Sequence, residues 1–292
     1  MADQNWLAER FEEQRPRLRA VAYRMLGSFA EAEDAVQDAW LRVSRADTSE
    51  VDNLGAWLTT VVARLALNML RSRTARRQEP LDHVHIPDPV VDPPEGTDPE
   101  HEALLANSVG MALLVVLESL SPAERLAFVL HDMFGVPFDE IAPIVERSPE
   151  AARQLASRAR RRVQGSPVPD PDLDAQWRVV DAFLAAARAG DFEALVAVLD
   201  PDVVLRADGG VSGLSHFVRG AAAVARQATF WGRAGLGMRR ALVNGAAGLV
   251  SERDGKAFAV GALTINNGRI IECDFLVDPD RVAQLDLEVL RG

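Results

Sequence analysis

A proline-rich, acidic segment interrupts the chain and rules out a single continuous core. Residues 80–99 hold six prolines, and residues 80–115 hold seven Asp or Glu and no Lys or Arg. Because proline lacks an N–H donor and blocks helix, this composition predicts an extended linker. A second break, 165–171, contains three prolines and a glycine. We therefore expect a multidomain chain with units at 1–79, 116–165 and 172–292, joined by an acidic linker at 80–115.

The net charge of −11 argues against nucleic-acid binding only if the charge is spread evenly. It is not: residues 1–79 carry 12 Arg against 12 acidic residues, and 116–165 carry seven of each. The acidic excess lies in the linker and in the C-terminal part. This distribution suggests that the linker lies near arginine faces when DNA is absent. Under that hypothesis DNA affinity rises when four linker carboxylates are neutralised: Asp82, Asp88, Asp92 and Asp98.

Several classes of protein are disfavoured by composition. Cys273 is the single cysteine, which excludes an internal disulfide or a cysteine-rich zinc site, and the five histidines show no metal-ligand spacing. The N-terminus lacks the features of a signal peptide, and the longest apolar run, 111–117, is far below the length that spans a membrane. We expect no metal, no cofactor, no membrane contact and a cytoplasmic location.

The N-terminal unit is predicted to be helical. Ser28 and Glu31 suggest a capping box at the start of one helix. Its other face is polar, and from the pattern alone this is as well explained by solvation as by binding. The apolar stripe recurs at three- and four-residue steps: Phe29, Ala32, Val36, Trp40 and Val43.

A second helix in this unit places aromatic, hydroxyl, amide and guanidinium groups on one strip. Such groups can stack on an unpaired base and grip phosphates. An ordinary amphipathic helix with a basic C-terminus would show the same pattern. The strip contains Trp57, Thr60, Arg64, Asn68 and Arg71.

The middle unit has the pattern of a helix-turn-helix. Ser121-Pro122-Ala123-Glu124 predicts a capped helix start, and Ser148-Pro149 predicts another after a short helix and a turn. Pro143 should disturb the short helix. The last helix carries five arginines between residues 153 and 162, which favours DNA binding over a plain αα-hairpin.

The C-terminal unit changes to helices followed by strands. Residues 214–231 are predicted to be mostly helical, and Asp254-Gly255 and Asn267-Gly268 predict hairpin turns. This order predicts an α+β cone with an internal pocket. Acid–base catalysis in that pocket would use four polar residues: Arg206, Asp208, His216 and Asp274. A turn at Asp208 and an isolated surface histidine at position 216 are alternative explanations that involve no catalysis.

Three segments resemble sigma factors of the extracytoplasmic-function class. Residues 23–28 (YRMLGS) with 31–42 (EAEDAVQDAWLR), then 53–71, are similar to sigma region 2, and residues 120–162 are similar to region 4. They occur in the order and spacing of that family. The resemblance implies a non-enzymatic factor that directs core RNA polymerase to promoter DNA.

The resemblance assigns roles to particular residues. For region 2 it implies contact with the β′ clamp through Asp34, Gln37, Asp38, Leu41 and Arg42. It implies recognition of the downstream (−10) promoter element through Asn53, Trp57, Thr60, Arg64, Asn68 and Arg71. For region 4, which works beside the β flap, it implies recognition of the upstream (−35) element through Glu150, Arg153, Gln154, Ser157, Arg158 and Arg161.

The C-terminal unit resembles the SnoaL-like fold, most clearly at residues 187–195 (ARAGDFEAL). A subgroup of these sigma factors carries such a domain as a built-in regulator. The resemblance implies a regulatory interface with regions 2 and 4 near the linker, and a pocket for an unknown small ligand. Its residues would be Pro87, Asp88, Pro89, Asp208, Gly209, Gly210, Asp278, Pro279, Asp280 and Arg281.

The linker departs from the family pattern, because His85 stands where the family's Trp-Leu-Pro-Glu-Pro-like motif has tryptophan. Two other functions remain open at this point. One is a ligand-responsive transcription factor that binds DNA without polymerase. The other is a SnoaL-like enzyme fused to a helical interaction module.

Overall fold

The protein divides into two compact units. The first comprises residues 1–79 and 116–165, and the second comprises residues 80–115 and 166–292. The computed structural model describes residues 2–46, 51, 53–76, 85–96, 110–210, 215–234, 236–285 and 287.

The first unit is helical. Its helices bury apolar stripes against one another, and a π-helical turn at Val129–Met133 follows the fifth helix. Helix α4 starts in the second unit's share of the chain and ends in the first unit's share. In chain order the helices are α1 (Ala2–Leu26), α2 (Phe29–Val43), α3 (Leu54–Arg76), α4 (Met111–Glu118), α5 (Pro122–Phe128), α6 (Phe138–Val145) and α7 (Pro149–Val163).

The predicted separation of 1–79 from 116–165 is corrected by a buried arginine. Arg125, in α5, is 2% exposed and donates to the carbonyl oxygen of Met25 at 2.8 Å and to Glu118 at 2.7 Å. A guanidinium removed from water must find acceptors, and here they come from both sequence segments. The two segments therefore pack as one unit.

All three predicted helix starts are confirmed, but the predicted side-chain cap forms at only two of them. Ser121 and Glu124 form the capping box, and Ser148 accepts a hydrogen bond from the backbone N–H of Ala151. The capping box predicted at Ser28 is wrong. Ser28 occupies the N-cap position without a side-chain bond, and Glu31 instead pairs with Arg73 of α3. The attraction of an arginine on a neighbouring helix replaces the local bond.

The second unit is a curved sheet with helices over one face. The order of its seven strands is β1-β4-β5-β6-β7-β2-β3, and β2 pairs with β7 in parallel while the other pairs are antiparallel. The strands are β1 (Val91–Asp92), β2 (Leu199–Asp208), β3 (His216–Arg219), β4 (Gly237–Val243), β5 (Ala246–Arg253), β6 (Lys256–Asn266) and β7 (Arg269–Leu276). The helices are α8 (Leu173–Ala189), α9 (Phe192–Val198), α10 (Ala221–Arg233) and α11 (Pro279–Gln284).

The hairpin turns predicted at Asp254 and Asn267 are confirmed, since both residues have positive φ and each is followed by a glycine with positive φ. The helix predicted over 214–231 is only partly right. Residues 216–219 form β3, which pairs with β2, and α10 begins after Gly220. Gly220 has φ of +92°, a conformation that favours glycine and ends the strand.

The linker also differs from its prediction, because its described part is not free. Residues 86–92 are buried, and β1 adds to the edge of the sheet beside β4. Prolines suit this position: β1 lies between Pro89 and Pro93, so no ladder hydrogen bond is lost to a missing N–H.

The hypothesis that the linker shields arginine faces is wrong for two of its four carboxylates. Asp88 is 6% exposed and pairs with Arg281, and Asp92 is fully buried in β1. Both side chains are buried inside the second unit, where Asp88 pairs with Arg281. Asp82 and Asp98 lie outside the described residues.

The break at 165–171 is likewise fixed to the second unit. The backbone N–H of Asp170 donates to the carbonyl oxygen of Ile265 at 2.8 Å. Its carboxylate accepts from the backbone N–H groups of Asn267 and Gly268, each at 3.1 Å. Both chain segments that flank residues 116–165 are therefore anchored to the same sheet.

Candidate functional site

The residues predicted to contact polymerase share one exposed face of α2. The buried stripe of this helix, including Val36 and Val43, faces the other way. Leu41 is 46% exposed, which is unusual for a leucine amid polar neighbours. The other exposed members are Asp34, Gln37, Asp38 and Arg42.

The residues predicted to read the −10 element lie along α3. Asn53 caps the helix, since its side-chain oxygen accepts from the backbone N–H of Ala56 at 3.0 Å. Trp57 and Thr60 are half-buried, and Arg64 and Asn68 are exposed. Arg71, at the same face, approaches Glu146 of the helix-turn-helix at 3.7 Å. The strip is continuous, but Arg71 already has a carboxylate neighbour.

All six residues predicted to read the −35 element are exposed on α7. Arg153 pairs with Glu150 at 2.7 Å, and its guanidinium carbon lies 5.3 Å from the ring centre of Phe138. Arg158 lies 3.3 Å from Glu124. Gln154, Ser157 and Arg161 complete the surface.

Glu124 ties the start of α5 to the arginine-rich helix. Burial would raise the pKa of its carboxyl group, but hydrogen bonds from Ser121 and the charges of Arg162 and Arg158 outweigh burial, so its pKa is lowered. The carboxylate thus stays ionised and holds the C-terminal half of α7 against α5.

The residues predicted to form a regulatory interface meet in the second unit, where we call His85, Ile86, Asp88, Asp208 and Arg281 the connector cluster. Arg281 donates to Asp88 through Nε at 2.8 Å and to Asp208 through a terminal nitrogen at 2.8 Å. Its other terminal nitrogen donates to Asp88 and to the carbonyl oxygen of Ile86, each at 2.5 Å. One guanidinium thereby joins the linker to the end of β2.

Asp208 binds the linker as well. Its Oδ2 accepts from the backbone N–H of Ile86 at 2.9 Å and lies 3.3 Å from Nδ1 of His85. Burial would raise the pKa of this carboxyl group, but hydrogen bonds from His85, Ile86 and Gly210 outweigh burial and hold the pKa below its usual range. Asp208 is therefore ionised in the folded protein across ordinary pH.

Gly210 and Asp278 complete the surroundings of the cluster. Gly210 has φ of +69°, and a Cβ added there would lie 1.9 Å from Oδ2 of Asp278, so only glycine fits. Asp278 caps α11 by accepting from the backbone N–H groups of Asp280 and Arg281 at 2.9 and 3.2 Å. This cap sets the direction from which Arg281 reaches the linker. Pro87 and Pro89 are buried beside it, Gly209 precedes Gly210, and Pro279 opens α11.

The four residues considered for catalysis do not meet in the cavity between the sheet and its helices. Only His216 lines it. Arg206 and Asp274 pair at 2.8 Å on the opposite face of the sheet, and Asp208 belongs to the connector cluster. The arrangement offers no cluster of acid–base groups around a substrate.

Comparisons with known proteins agree with these features. Residues 10–76 match the family Sigma-70 region 2, and residues 110–163 match Sigma-70, region 4. The ECF RNA polymerase sigma factor SigJ of Mycobacterium tuberculosis is 41% identical over 97% of this chain and 95% of its own length. This chain is an extracytoplasmic-function sigma factor. A probable ECF sigma factor, SigI, of the same species is 41% identical over 63% of each chain.

A solved structure extends the similarity to the whole sigma factor. The crystal structure of Mycobacterium tuberculosis SigJ superposes with a TM-score of 0.75 at 36% identity, covering 96% of this chain and 99% of that one. The predicted architecture is confirmed: all-α sigma regions 2 and 4 precede an α+β domain. Core RNA polymerase and promoter DNA are therefore its partners. Among the described helices, none has the length and apolar character needed to cross a membrane.

Sequence reasoning missed one residue that anchors the linker of this sigma factor. The side-chain oxygen of Asn244 accepts from the backbone N–H of Val90 at 3.2 Å. The backbone N–H of Asn244 donates to the carbonyl oxygen of Val90 at 2.8 Å. Asn244-Gly245 is an Asn-Gly pair between two strand patterns, a recognised hairpin signal. That signal predicts the turn, but not that the turn's asparagine binds a segment about 150 residues earlier in the chain.

Proposed function

We propose that this sigma factor is regulated in cis by capture of the linker between regions 2 and 4. The observation that carries the proposal is the connector cluster with β1, which builds residues 85–92 into the second unit. Region 4 reads a promoter element at a distance from the element that region 2 reads, so the length of free linker controls whether both can bind together. Capture of residues 85–92 shortens that free length.

The anchored segment at 165–171 supports the same proposal. Asp170 binds the β6–β7 turn, so the second unit holds the chain on both sides of region 4. Release of one side lengthens the reach of region 4 while the other side stays attached. The second unit would therefore adjust the reach of region 4 in steps, because it stays covalently attached to the rest of the sigma factor throughout.

We propose the exposed faces as the contacts with polymerase and promoter. The α2 face with Leu41 would bind the β′ clamp, and region 4 would bind the β flap. The strip from Asn53 to Arg71 would bind the −10 element, and the arginine face of α7 would bind the −35 element. The support is their exposure together with the matches to regions 2 and 4. This activity would place the protein with the polymerase in the cytoplasm.

The two other functions have weaker support. An enzyme would need acid–base groups around its pocket, and of the four candidates only His216 lies there. A DNA-binding factor that works without polymerase would not need the exposed α2 face. We therefore propose that the second unit regulates and does not catalyse.

Reconstituted transcription tests both parts of the proposal. Purified core polymerase and the full-length chain are incubated with a randomised promoter library, and the opened sequences are identified by sequencing. We expect a defined pair of elements to be enriched. If the chain opens no promoter, the proposal that these faces contact polymerase and promoter DNA is refuted.

Regulation is tested on the enriched promoter with Asp208→Ala, because Asp208 contacts the linker at His85 and at Ile86 and also accepts from Arg281. The matched control is Asp202→Ala, an exposed carboxylate on the same strand. We expect Asp208→Ala alone to change promoter output and to increase cleavage of the linker by protease. If output and protease sensitivity match those of Asp202→Ala, regulation through the cluster is refuted.

A further inference from the structure

A cavity lies between the sheet and helices α8 and α10 of the second unit. It has a volume of about 100 Å³ and is partly open to solvent. Small side chains at positions that face each other leave this space open, and they include Ala187, Ala207, Ala228 and Ala259.

The wall of the cavity is apolar and aromatic. Four rings contribute to it, from Phe183, Trp231, Phe258 and Phe275. Among the described residues that line it, none is an aspartate, glutamate, lysine or arginine. The side chains of Arg206 and Asp274 point to the other face of the sheet, because their neighbours Leu205 and Phe275 point into the cavity. A charged ligand would find no aspartate, glutamate, lysine or arginine there to pair with it.

One side of the cavity is polar. Nε2 of Gln227, on α10, lies 2.5 Å from Nε2 of His216, on β3. The amide of Gln227 has both a donor and an acceptor group, and both residues line the cavity. A ligand with one hydroxyl or carbonyl group can therefore place it at this pair while its apolar part meets the rings.

We propose that this cavity binds a neutral small molecule with one aromatic ring and one hydrogen-bonding group. An engineered apolar cavity of about 150 Å³ stays dry and takes up benzene, so a space of about 100 Å³ that is partly open to solvent limits the ligand to about one ring, with any substituent at the opening. The rings supply stacking and edge contacts, and the pair Gln227–His216 orients the polar group. A carboxylate buried at the same place would lose its hydration without a lysine or arginine to pair with.

The test is isothermal titration calorimetry on the full-length chain with three probes: p-cresol, toluene and benzoate. We expect saturable one-to-one binding of p-cresol. Toluene, which lacks the hydroxyl, should bind about 3- to 10-fold more weakly, the ratio expected for one lost hydrogen bond. Benzoate should bind at least about tenfold more weakly than p-cresol, because its charge is unpaired. Absence of saturable p-cresol binding, or benzoate binding as tight as p-cresol binding, overturns the proposal.

Two variants locate the binding. Ala228→Leu adds three carbon atoms to the cavity, and its matched control is Ala222→Leu, the same change at an exposed position of the same helix. We expect Ala228→Leu alone to abolish p-cresol binding, and equal binding by both variants would refute the site. Gln227→Leu should remove the preference for p-cresol over toluene. The Gln227→Leu variant also tests the site if Ala228→Leu does not fold. If Gln227→Leu keeps the wild-type preference for p-cresol over toluene, the polar contact is refuted. Neither measurement depends on transcription, so the outcome is independent of the regulation proposed above.

Discussion

Two groups of arginines in this protein have the same chemistry and opposite surroundings. On α7, Arg153 is 59% exposed, and its ion pair is with Glu150, which is three residues earlier and 67% exposed. In the connector cluster, Arg281 is 19% exposed and binds Asp88, Asp208 and the carbonyl oxygen of Ile86. The first kind is available to an external partner. The second kind is used to hold the chain together.

The two groups should also differ in what they contribute to folding. An exposed ion pair typically contributes about 0–1 kcal/mol, because water screens it. Removal of one partner from a buried pair costs about 3–5 kcal/mol, because the remaining charge is left without compensation. Mutation can therefore separate the two groups by stability as well as by DNA binding.

The largest effect is expected for Arg281→Ala. The change leaves Asp88 and Asp208 buried together without the guanidinium that pairs with both, at a cost of about 3–5 kcal/mol. We expect this cost to release the linker from the sheet. The backbone amides of Val90 and Asn244 each donate to the other residue, next to the paired strands β1 and β4. Their hydrogen exchange should accelerate by about 10²- to 10³-fold.

The matched control for this prediction is Arg219→Ala. Arg219 is 67% exposed on β3, and its partner Asp202 is also exposed. Exchange at Val90 and Asn244 should stay as in the wild type. Equal protection in both variants would show that Arg281 does not hold the linker. Exchange in α8 separates local release from unfolding, because only unfolding would expose its amides.

A smaller effect is expected at Asp274, which is buried beside Arg206. Burial raises the pKa of Asp274 to about 6, although the charge of Arg206 lowers it. Because the folded pKa exceeds the unfolded value of about 3.9, the stabilising contribution is complete below about pH 4 and is lost as pH rises through 6. Between pH 5 and 7.5 the wild type should lose about 1–3 kcal/mol of unfolding free energy relative to Asp274→Asn.

Urea unfolding at the two pH values measures this difference. Asp202→Asn is the control, since it removes a carboxylate that is 82% exposed on a neighbouring strand. Its dependence on pH should match that of the wild type. If Asp274→Asn also matches the wild type, the carboxyl group does not titrate in this range.

The fate of particular residues shows how far the sequence can predict this protein. Helix faces follow from periodicity alone, so the exposed sets on α2 and α7 agree with the prediction. The family resemblance groups Asp88 with Asp208 and Arg281, but local patterns cannot do so, since 120 residues separate Asp88 from Asp208. The capping box predicted between Ser28 and Glu31 is wrong for a related reason, because Arg73, which is distant in sequence, pairs with Glu31.

The linker is the clearest limit. Its prolines predict an extended chain, which is right locally, because residues 91–92 are extended. Nothing in the composition shows that an edge of a distant sheet is open to receive them. The pairing of β1 with β4 depends on Asn244, which becomes a neighbour only after the second unit folds.

Exposed arginines should act on DNA binding and hardly on stability. We expect Arg153→Ala and Arg161→Ala each to weaken binding to the selected upstream element by about 1–3 kcal/mol if they contact bases. Fluorescence anisotropy on the selected and scrambled sequences measures the effect. Arg178→Ala, an exposed arginine of α8, is the control and should bind both as the wild type does. A loss equal on both sequences would assign phosphate contact instead.

The smallest effect on stability, and the sharpest contrast with Arg281, is expected for Glu150→Gln. Glu150 lies in the first turn of α7, where its charge favours the helix dipole, and it pairs with Arg153 on the surface. Both contributions are screened, so the unfolding free energy should fall by less than about 1 kcal/mol. DNA affinity should rise, because a negative charge leaves the surface that faces phosphates and Arg153 loses its internal partner.

The matched control is Glu193→Gln, which changes an exposed glutamate in the first turn of α9. It should show a similar small loss of stability and no change in DNA affinity. Lower DNA affinity in Glu150→Gln would instead mean that Glu150 itself contacts a base, for example by accepting from cytosine.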